Sequence, residues 1–250
     1  MFHPIIFSST SWTIAQSFAE LYAHQQARLL LVGRNLQKLE IIKDHLSAAG
    51  ANDVLHYVQD VGEIEDYGLF VQTLRDILGG IDVILVAHGT LPDQKMLEAN
   101  TALALKEIHI NALCTIGILN EVANLFEAEQ RGVICVIGSV AGDRGRKSNY
   151  IYGTAKAMLA SFCEGLRHRL APFNVQVITV KPGFVDTPMT QNFPKSFLWA
   201  KPEAIAKGIM TAIEKEKNVV YLPFFSFFVK SKDVFIAIPI IIIVKISVPI

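Results

Sequence analysis

Short apolar runs alternate with longer stretches of helical periodicity along most of the chain. The apolar runs are bounded by glycine, proline or polar residues, a pattern typical of buried strands. Strands are predicted at Pro4–Phe7, Ala27–Val32, Asp53–Val58, Ile81–Ala87, Val133–Ile137, Val175–Val180 and Val219–Leu222. Helices are predicted up to about Gln25, up to about Ala49, at Ile64–Leu78, over about Leu97–Phe126, at Ile151–Leu170 and at Pro202–Lys215. This alternation predicts a doubly wound α/β domain with a parallel sheet of about seven strands and helices on both faces.

The pattern changes near the carboxyl end, which divides the chain into a domain over 1–222 and a hydrophobic tail over 223–250. Val234–Ile250 is almost wholly apolar apart from Lys245, and Pro239 interrupts it. Its length falls short of the roughly 20 residues that a spanning helix needs. The sequence leaves two readings open: an anchor at a membrane surface, or docking on the same chain or a partner subunit.

Composition narrows the classes of function. The chain has 23 basic and 23 acidic residues, so bulk charge gives no reason to expect nucleic acid as a partner. Three widely spaced cysteines, Cys114, Cys135 and Cys163, lie in apolar surroundings. They indicate reduced core residues in a reducing compartment, with neither a disulfide framework nor a metal site. The amino terminus shows no signal-peptide pattern, so we expect a cytoplasmic protein.

The candidate chemistry lies between residues 139 and 156. Tyr152 and Lys156 are four positions apart, so on a helix they share one face. A nearby ammonium is expected to lower the pKa of a phenol from its usual value of about 10. Ser139 follows an apolar strand that would present its hydroxyl at the carboxyl edge of the sheet. Three such groups can polarise a carbonyl, or deprotonate an alcohol, while a cofactor supplies or takes a hydride.

In this context of strand, serine, glycine-bearing loop and helix, followed by a strand that ends in Lys181-Pro182-Gly183, the chain resembles the short-chain dehydrogenase/reductase family. The resemblance covers about residues 4–222 and implies a Rossmann fold and NAD(P)-dependent oxidoreductase activity. It implies that Tyr152 transfers the proton, that Lys156 assists it and binds nicotinamide ribose, and that Ser139 holds the substrate oxygen. It also implies that Asn111 orders a water of the proton relay.

The turn after the first strand departs from the family. The family pattern Thr-Gly-x-x-x-Gly-x-Gly has Ser9, Thr13 and Ala15 at its three glycines here. Glycine permits unusual backbone angles and a close approach to phosphate, which serine and threonine do not reproduce. Their hydroxyls can still donate to phosphate oxygens at the start of a helix, or they simply cap that helix.

The resemblance also implies where a dinucleotide binds. Arg34, at the end of the second strand, favours NADP(H) over NAD(H), because an arginine accommodates the extra phosphate whereas an acidic residue bonds the ribose hydroxyls. The alternative for Arg34 is an ordinary solvated basic side chain. Where the family usually has Asn-Ala-Gly, this chain has Ala87-His88-Gly89, and His88 is expected to have a structural role beside the cofactor. The implied cofactor-binding residues are Ser9, Thr10, Ser11, Thr13, Ile14, Arg34, Asn35, Asp60, Val61, Ala87, His88, Gly89, Tyr152, Lys156, Pro182, Gly183, Val185 and Thr187.

Three stretches, 87–94, 139–150 and 181–189, look like the reductases similar to decaprenylphosphoryl-β-D-erythro-pentofuranosid-2-ulose 2-reductase, which reduce a ketosugar carried on a polyprenyl phosphate. That likeness implies a lipid-linked carbonyl substrate and membrane proximity. Residues 189–200, rich in apolar side chains, are expected to form a substrate lid. The loop Asp143–Arg146 either meets an anionic sugar-phosphate or is a solvated polar loop. A homo-oligomer is expected from the family.

The altered turn keeps a second hypothesis open. A non-catalytic Rossmann scaffold or sensor would keep the fold and lose productive dinucleotide binding. Binding of NADPH and NADH distinguishes this hypothesis from the enzyme.

Overall fold

The computed structural model of the chain describes residues 4–7, 13–190 and 199–223. The strands are β1 (Pro4–Phe7), β2 (Arg28–Gly33), β3 (Asp53–Val58), β4 (Val83–Val86), β5 (Gly132–Ile137), β6 (Val175–Pro182) and β7 (Val219–Leu222). The α-helices are α1 (Thr13–Ala23), α2 (Leu36–Ala48), α3 (Tyr67–Leu78), α4 (Gln94–Ala99), α5 (Thr101–Ile108), α6 (Cys114–Glu129), α7 (Tyr150–Leu170) and α8 (Pro202–Glu214). The predicted hydrophobic tail lies outside the described residues from 224 onwards.

All seven strands belong to one parallel sheet in the order β3-β2-β1-β4-β5-β6-β7. The chain builds outwards from β1 in one direction through β2 and β3, and then returns to add β4 to β7 on the other side. The crevice outside the carboxyl ends of β1 and β4 is therefore the place where a ligand binds in folds of this type.

Helices cover both faces of the sheet. Leu30 and Val32 of β2 pack in the cluster formed with α3, α6 and α7. Leu29 and Leu31 point to the opposite cluster, formed with α1, α2 and α8. Because side chains alternate along a strand, burial of both faces requires a continuous apolar run, which is the pattern that predicts these strands. The predicted doubly wound α/β architecture is confirmed by this layering.

The long helix predicted over Leu97–Phe126 is interrupted twice. Asn100 ends α4 and caps α5 by accepting a hydrogen bond from the backbone N–H of Leu103. A single π-helical turn, His109–Leu113, then joins α5 to α6. Within it, the Asn111 side chain donates to the carbonyl of Glu107 at 3.0 Å, in competition with the regular backbone bonds of a helix.

Other boundaries also differ from the sequence prediction. The helix expected from Ile64 begins at Tyr67, because Asp66 caps it by accepting from the backbone N–H of Leu69. A separate 3₁₀ turn, Val61–Glu63, precedes it, with Asp60 as its cap. Strand β6 continues to Pro182, because its last residues pair with β7.

One stretch of the described chain, Thr101–Glu129, is long and apolar enough to cross a membrane by length and composition. Its apolar character is explained by the core, since Ile118, Leu119, Val122 and Phe126 are fully or almost fully buried against the sheet. A buried helix of a soluble protein passes the same test.

Candidate active site

A cavity of about 510 Å³ opens at the carboxyl edge of the sheet. This volume lies within the usual range of small-molecule sites, roughly 300–1,000 Å³. The strand ends contribute most of its wall: Ala87, His88 and Gly89 after β4, Ile137 to Ala141 at the end of β5, and Pro182 to Val185 after β6. Helix α7 adds Tyr152 and Lys156, and α1 adds Ile14.

Ser139 begins a tight turn directly after β5. Gly138 donates its N–H to the carbonyl of Val180 in β6, which keeps the chain in the plane of the sheet up to this point. The Ser139 hydroxyl accepts a hydrogen bond from the backbone N–H of Ala141 at 3.0 Å and so caps the 3₁₀ turn Val140–Gly142. The hydroxyl therefore lies at the wall of the cavity in a defined position.

Tyr152 and Lys156 reach the same cavity from the first turns of α7. The Lys156 ammonium lies 5.7 Å from the centre of the Tyr152 ring. Lys156 is 3% exposed, and its Nζ donates to the carbonyl of Ile137 at 3.1 Å. The structure thus brings together Ser139, Tyr152 and Lys156, which the sequence separates by up to 17 positions.

Burial dominates the titration of both groups. It raises the pKa of Tyr152 to about 12, against the opposing effect of a hydrogen bond with Ser139. It lowers the pKa of Lys156 to about 8, which the nearby Cys163 thiol offsets in part. The expectation that the ammonium lowers the pKa of Tyr152 below its usual value is therefore wrong for this structure, because loss of water around the phenolate outweighs the hydrogen bond with Ser139.

Asn111 lies behind the cavity wall, 1% exposed. Its Oδ1 accepts from the backbone N–H of Thr90, and its Nδ2 donates to the Thr90 hydroxyl and to the Glu107 carboxylate. A methyl group placed on Gly89 would come 2.8 Å from Asn111 Oδ1 and 3.5 Å from Lys156 Nζ. Glycine at 89 therefore allows the amide and the ammonium to approach the same point of the chain.

His88 is buried, 3% exposed, and shares a hydrogen bond of 2.9 Å with the Thr115 hydroxyl in α6. Burial first, and then the charge of Lys156, lowers its pKa to about 3. The imidazole is therefore neutral at physiological pH. A neutral, hydrogen-bonded side chain fits the structural role that the sequence suggests better than that of a general acid.

Three predicted cofactor residues lie at the ends of β2 and β3, outside the lining of the cavity. Arg34 Nη1 is 3.4 Å from Asp60 Oδ2, and both side chains are partly exposed. Asp60 also accepts from the backbone N–H of Gly62. Asn35 caps α2 by accepting from the N–H of Lys38. Val61, the fourth predicted residue in this region, is buried.

The segment after β6 forms the opposite wall. Gly183 donates its N–H to the carbonyl of Leu222, which fixes the Pro182-Gly183 turn against β7. Val185 and Thr187 line the cavity, and Thr187 is held by Thr190, whose hydroxyl donates to the carbonyl of Val185. The loop is therefore ordered by its own hydrogen bonds.

Part of the predicted site lies outside the described residues. This applies to Ser9, Thr10 and Ser11 of the glycine-free turn, and to positions 191–198 of the expected substrate lid. Thr13 is the first residue of α1, and Ile14 reaches the cavity. The first turn of α1 therefore borders the crevice at which this turn was predicted.

Sequence reasoning missed several lining residues: Leu91, Val140, Ser148, Asn149, Phe184 and Thr190. Phe184 stacks on Trp199, with ring centres 5.4 Å apart. These residues lie in the loops that follow β4, β5 and β6 or directly precede α7. Their closeness in sequence to strand ends and to α7 was the signal that could have identified them. Arg146 also lines the cavity, whereas Arg144 of the same loop is exposed.

Comparison with known proteins agrees with this geometry. The family model described as short chain dehydrogenase matches residues 5–196. An uncharacterized oxidoreductase of Mycobacterium tuberculosis is 33% identical over 197 residues, which are 79% of each chain. An uncharacterized oxidoreductase of Staphylococcus aureus is 25% identical over 207 residues, 82% of this chain and 88% of the relative.

Two solved structures share the fold. Levodione reductase superposes with a TM-score of 0.79 at 20% identity, covering 90% of this chain and 98% of that chain. A short-chain dehydrogenase from Sphingobium yanoikuyae, in complex with NADPH, gives 0.78 at 20% identity, with 99% and 96% covered. The family match over most of the domain and the 33% identical relative show that the chain belongs to the short-chain dehydrogenase family and is a pyridine-nucleotide-dependent oxidoreductase.

Proposed function

We propose that the protein interconverts a carbonyl and a secondary alcohol by hydride transfer with NADP(H). The observation that carries this proposal is the convergence of Ser139, Tyr152 and Lys156 on one cavity at the carboxyl edge of the sheet. The crevice lies where the strand order reverses, and Gly89 and Gly183 are among the residues that line it. These features fit a bound dinucleotide.

In this proposal the cofactor supplies or accepts the hydride, and the protein handles the substrate oxygen and the proton. Ser139 holds the oxygen by a hydrogen bond. Tyr152 donates its proton to that oxygen in reduction, since burial keeps the phenol protonated. Lys156, fixed by the Ile137 carbonyl, provides a positive charge beside the developing phenolate and a donor for the nicotinamide ribose. Asn111 orders the water of the proton relay behind Lys156.

The preference for NADP(H) rests on Arg34. Its guanidinium stands at the end of β2 and is held there by Asp60. A phosphate on the adenosine ribose would meet a donor that is already oriented, although the Asp60 carboxylate competes for it.

The substrate class follows from the cavity wall. Leu91, Val140, Phe184 and Met189 make much of it apolar, so a substrate with an apolar body beside its carbonyl fits. Among the described lining residues the charged ones are Lys156 and Arg146, both cationic. The positive charge of Arg146 favours a substrate with an anionic group. A lipid-linked ketosugar phosphate combines an apolar body, a carbonyl and an anionic group.

A lipid-linked substrate would require access to a membrane, and the sequence of Val234–Ile250 supports this. Binding to a bilayer surface strengthens with the apolar area that is buried there, and this segment is almost uncharged and follows aromatic residues. We therefore propose a cytoplasmic enzyme that associates peripherally with the membrane through its tail. We also propose a homo-oligomer, supported by the exposed Leu105 and Leu113 on the long helical region.

A second candidate function is a Rossmann scaffold or sensor with impaired dinucleotide binding. It is favoured by one observation, the replacement of glycine by Ser9 and Thr13 in the phosphate-binding turn. The retained Ser139, Tyr152 and Lys156 favour the enzyme instead.

Replacement of the proton donor tests the chemistry. Tyr152→Phe removes the hydroxyl and keeps the ring, so we expect NADPH-dependent reduction to fall by roughly 10²–10⁴-fold. Turnover is measured from NADPH absorbance with a panel of cyclic ketones and diketones that includes levodione. Unchanged turnover in Tyr152→Phe would contradict the proposed mechanism.

The pH dependence tests Lys156. Because its pKa is about 8, the ammonium is present below that pH and is lost as the pH rises through it. We expect kcat/KM for reduction to be level between about pH 6 and 7, to be halved near pH 8 and to fall further above it. In Lys156→Arg the charge persists, so this alkaline decline should disappear even where the absolute rate is lower. An identical decline in both proteins would assign it to another group.

Dinucleotide affinity tests the cofactor preference. Arg34→Ala should weaken NADPH binding by roughly 10–100-fold, as expected from loss of a charge-assisted hydrogen bond, and should leave NADH affinity nearly unchanged. Protein-induced change in dinucleotide fluorescence gives both affinities, and Arg131→Ala at the opposite sheet edge is the control. If the unmodified protein binds neither dinucleotide below millimolar concentration, the scaffold is the better proposal.

Vesicle binding tests the tail. The full-length protein should sediment with phosphatidylcholine–phosphatidylglycerol liposomes, and a variant that ends at residue 223 should stay in the supernatant, because the apolar area would be removed. Recovery of the full-length protein entirely in the supernatant would refute membrane association.

A further inference from the structure

A largely buried ion pair lies at the carboxyl edge of the sheet, next to the cavity. Lys181 Nζ is 2.5 Å from Asp143 Oδ1, and the two side chains are only 13% and 6% exposed. The Tyr221 hydroxyl donates to the other carboxylate oxygen at 2.9 Å, and the Lys181 ammonium lies 5.5 Å from the centre of the Tyr221 ring. We call these three residues the clamp.

A contribution to the free energy of unfolding is a weak explanation for the presence of such an ion pair. Removing two charges from water is costly, and well-packed apolar residues often replace a buried pair without loss of stability. Its three members come from separate parts of the sheet edge: the loop after β5, the end of β6 and the end of β7. A buried pair of this kind fixes one geometry, because each partner is costly when left alone.

Asp143 ends the turn that Ser139 begins, and we call residues 139–143 the Ser139 turn. Gly142 donates its N–H to the Ser139 carbonyl, and Asp143 donates to the Val140 carbonyl. The Asp143 side chain therefore anchors the end of a turn whose first residue carries the catalytic hydroxyl.

The other side of the Ser139 turn presses on α7. A methyl group on Gly142 would come 2.7 Å from the carbonyl carbon of Lys156. A methyl group on Gly153 would come 2.8 Å from the carbonyl oxygen of Ala141. The turn is thus enclosed between the backbone of α7, which carries Tyr152 and Lys156, and the clamp.

The clamp also fixes the wall that follows β6. Lys181 and Tyr221 are register partners in neighbouring strands, and Lys181 directly precedes the Pro182-Gly183 turn. A single carboxylate thereby joins the Ser139 turn to the Pro182-Gly183 turn, whose two residues are among the expected cofactor-binding residues.

We propose that Asp143, Lys181 and Tyr221 are positioning residues that hold the Ser139 turn against α7 at the spacing which carbonyl chemistry requires. This inference rests on the proposed function for its catalytic consequence. The mechanical part, a turn held in place by the clamp, stands on the contacts alone.

The test uses the full-length chain with Lys181→Met, which leaves the Asp143 carboxylate without its cationic partner. We expect the melting temperature to fall by roughly 5–15 °C. Hydrogen exchange in the peptide 139–149 should accelerate by about tenfold or more, because the amides of Ala141, Gly142 and Asp143 bond within the turn. The kcat for the best carbonyl of the panel should fall at least tenfold, with a smaller change in NADPH affinity.

Two further variants separate positioning from plain loss of stability. Leu46→Ala, in a fully buried position of α2, should lower the melting temperature by a similar amount. It should leave kcat and the relative exchange of 139–149 near those of the unmodified protein. Lys181→Arg keeps the charge and should recover most of the lost kcat. Tyr221→Phe removes one hydrogen bond to Asp143. It should change the melting temperature, the exchange in 139–149 and kcat in the same direction as Lys181→Met, but by less.

The inference is overturned if Lys181→Met behaves like Leu46→Ala, with kcat retained at equal loss of melting temperature. It is also overturned if exchange in 139–149 stays unchanged in both Lys181→Met and Tyr221→Phe. If the unmodified protein reduces no carbonyl in the panel, the proposed function fails instead, and the exchange rates alone decide whether the clamp holds the turn.

Discussion

The arrangement of the site depends on one close contact, the backbone of the Ser139 turn packed directly on the backbone of α7. Glycine at 142 and at 153 makes this approach possible, because a methyl group at either position would come within 2.8 Å of backbone atoms across the contact. The contact sets how far the Ser139 hydroxyl lies from Tyr152 and Lys156. The wall of the cavity and the placement of its polar groups follow from it.

Burial gives these groups their chemical character. Partial exclusion of water from these side chains raises the pKa of the Tyr152 phenol, which keeps its proton, and lowers the pKa of the Lys156 amine to about 8. The same exclusion makes the Asp143–Lys181 pair sensitive to geometry, since each charge depends on the other. A site built in this way places a protonated phenol, an amine and a hydroxyl around one largely apolar cavity.

Much of the fold is visible in the sequence, because strands buried on both faces, such as β2, require unbroken apolar runs. The sequence also indicates Ser139, Tyr152 and Lys156 as a group, because two of the three residues lie four positions apart on one helix. The π-helical turn at Asn111 could not be predicted from local sequence, since the Asn111 side chain bonds to Thr90, 21 positions away. The clamp joins residues 38 and 78 positions apart, which no local pattern records. The direction of the Tyr152 pKa shift was missed because burial is a property of the assembled cavity.

The central claim is that hydride and proton meet in this cavity, and a crystal structure of the protein with NADPH tests it most directly. The account predicts the nicotinamide inside the cavity formed by the ends of β4, β5 and β6, with its ribose at Lys156 and the adenosine half towards Arg34. A dinucleotide bound elsewhere on the molecule, or a nicotinamide ring turned away from Tyr152, would contradict it.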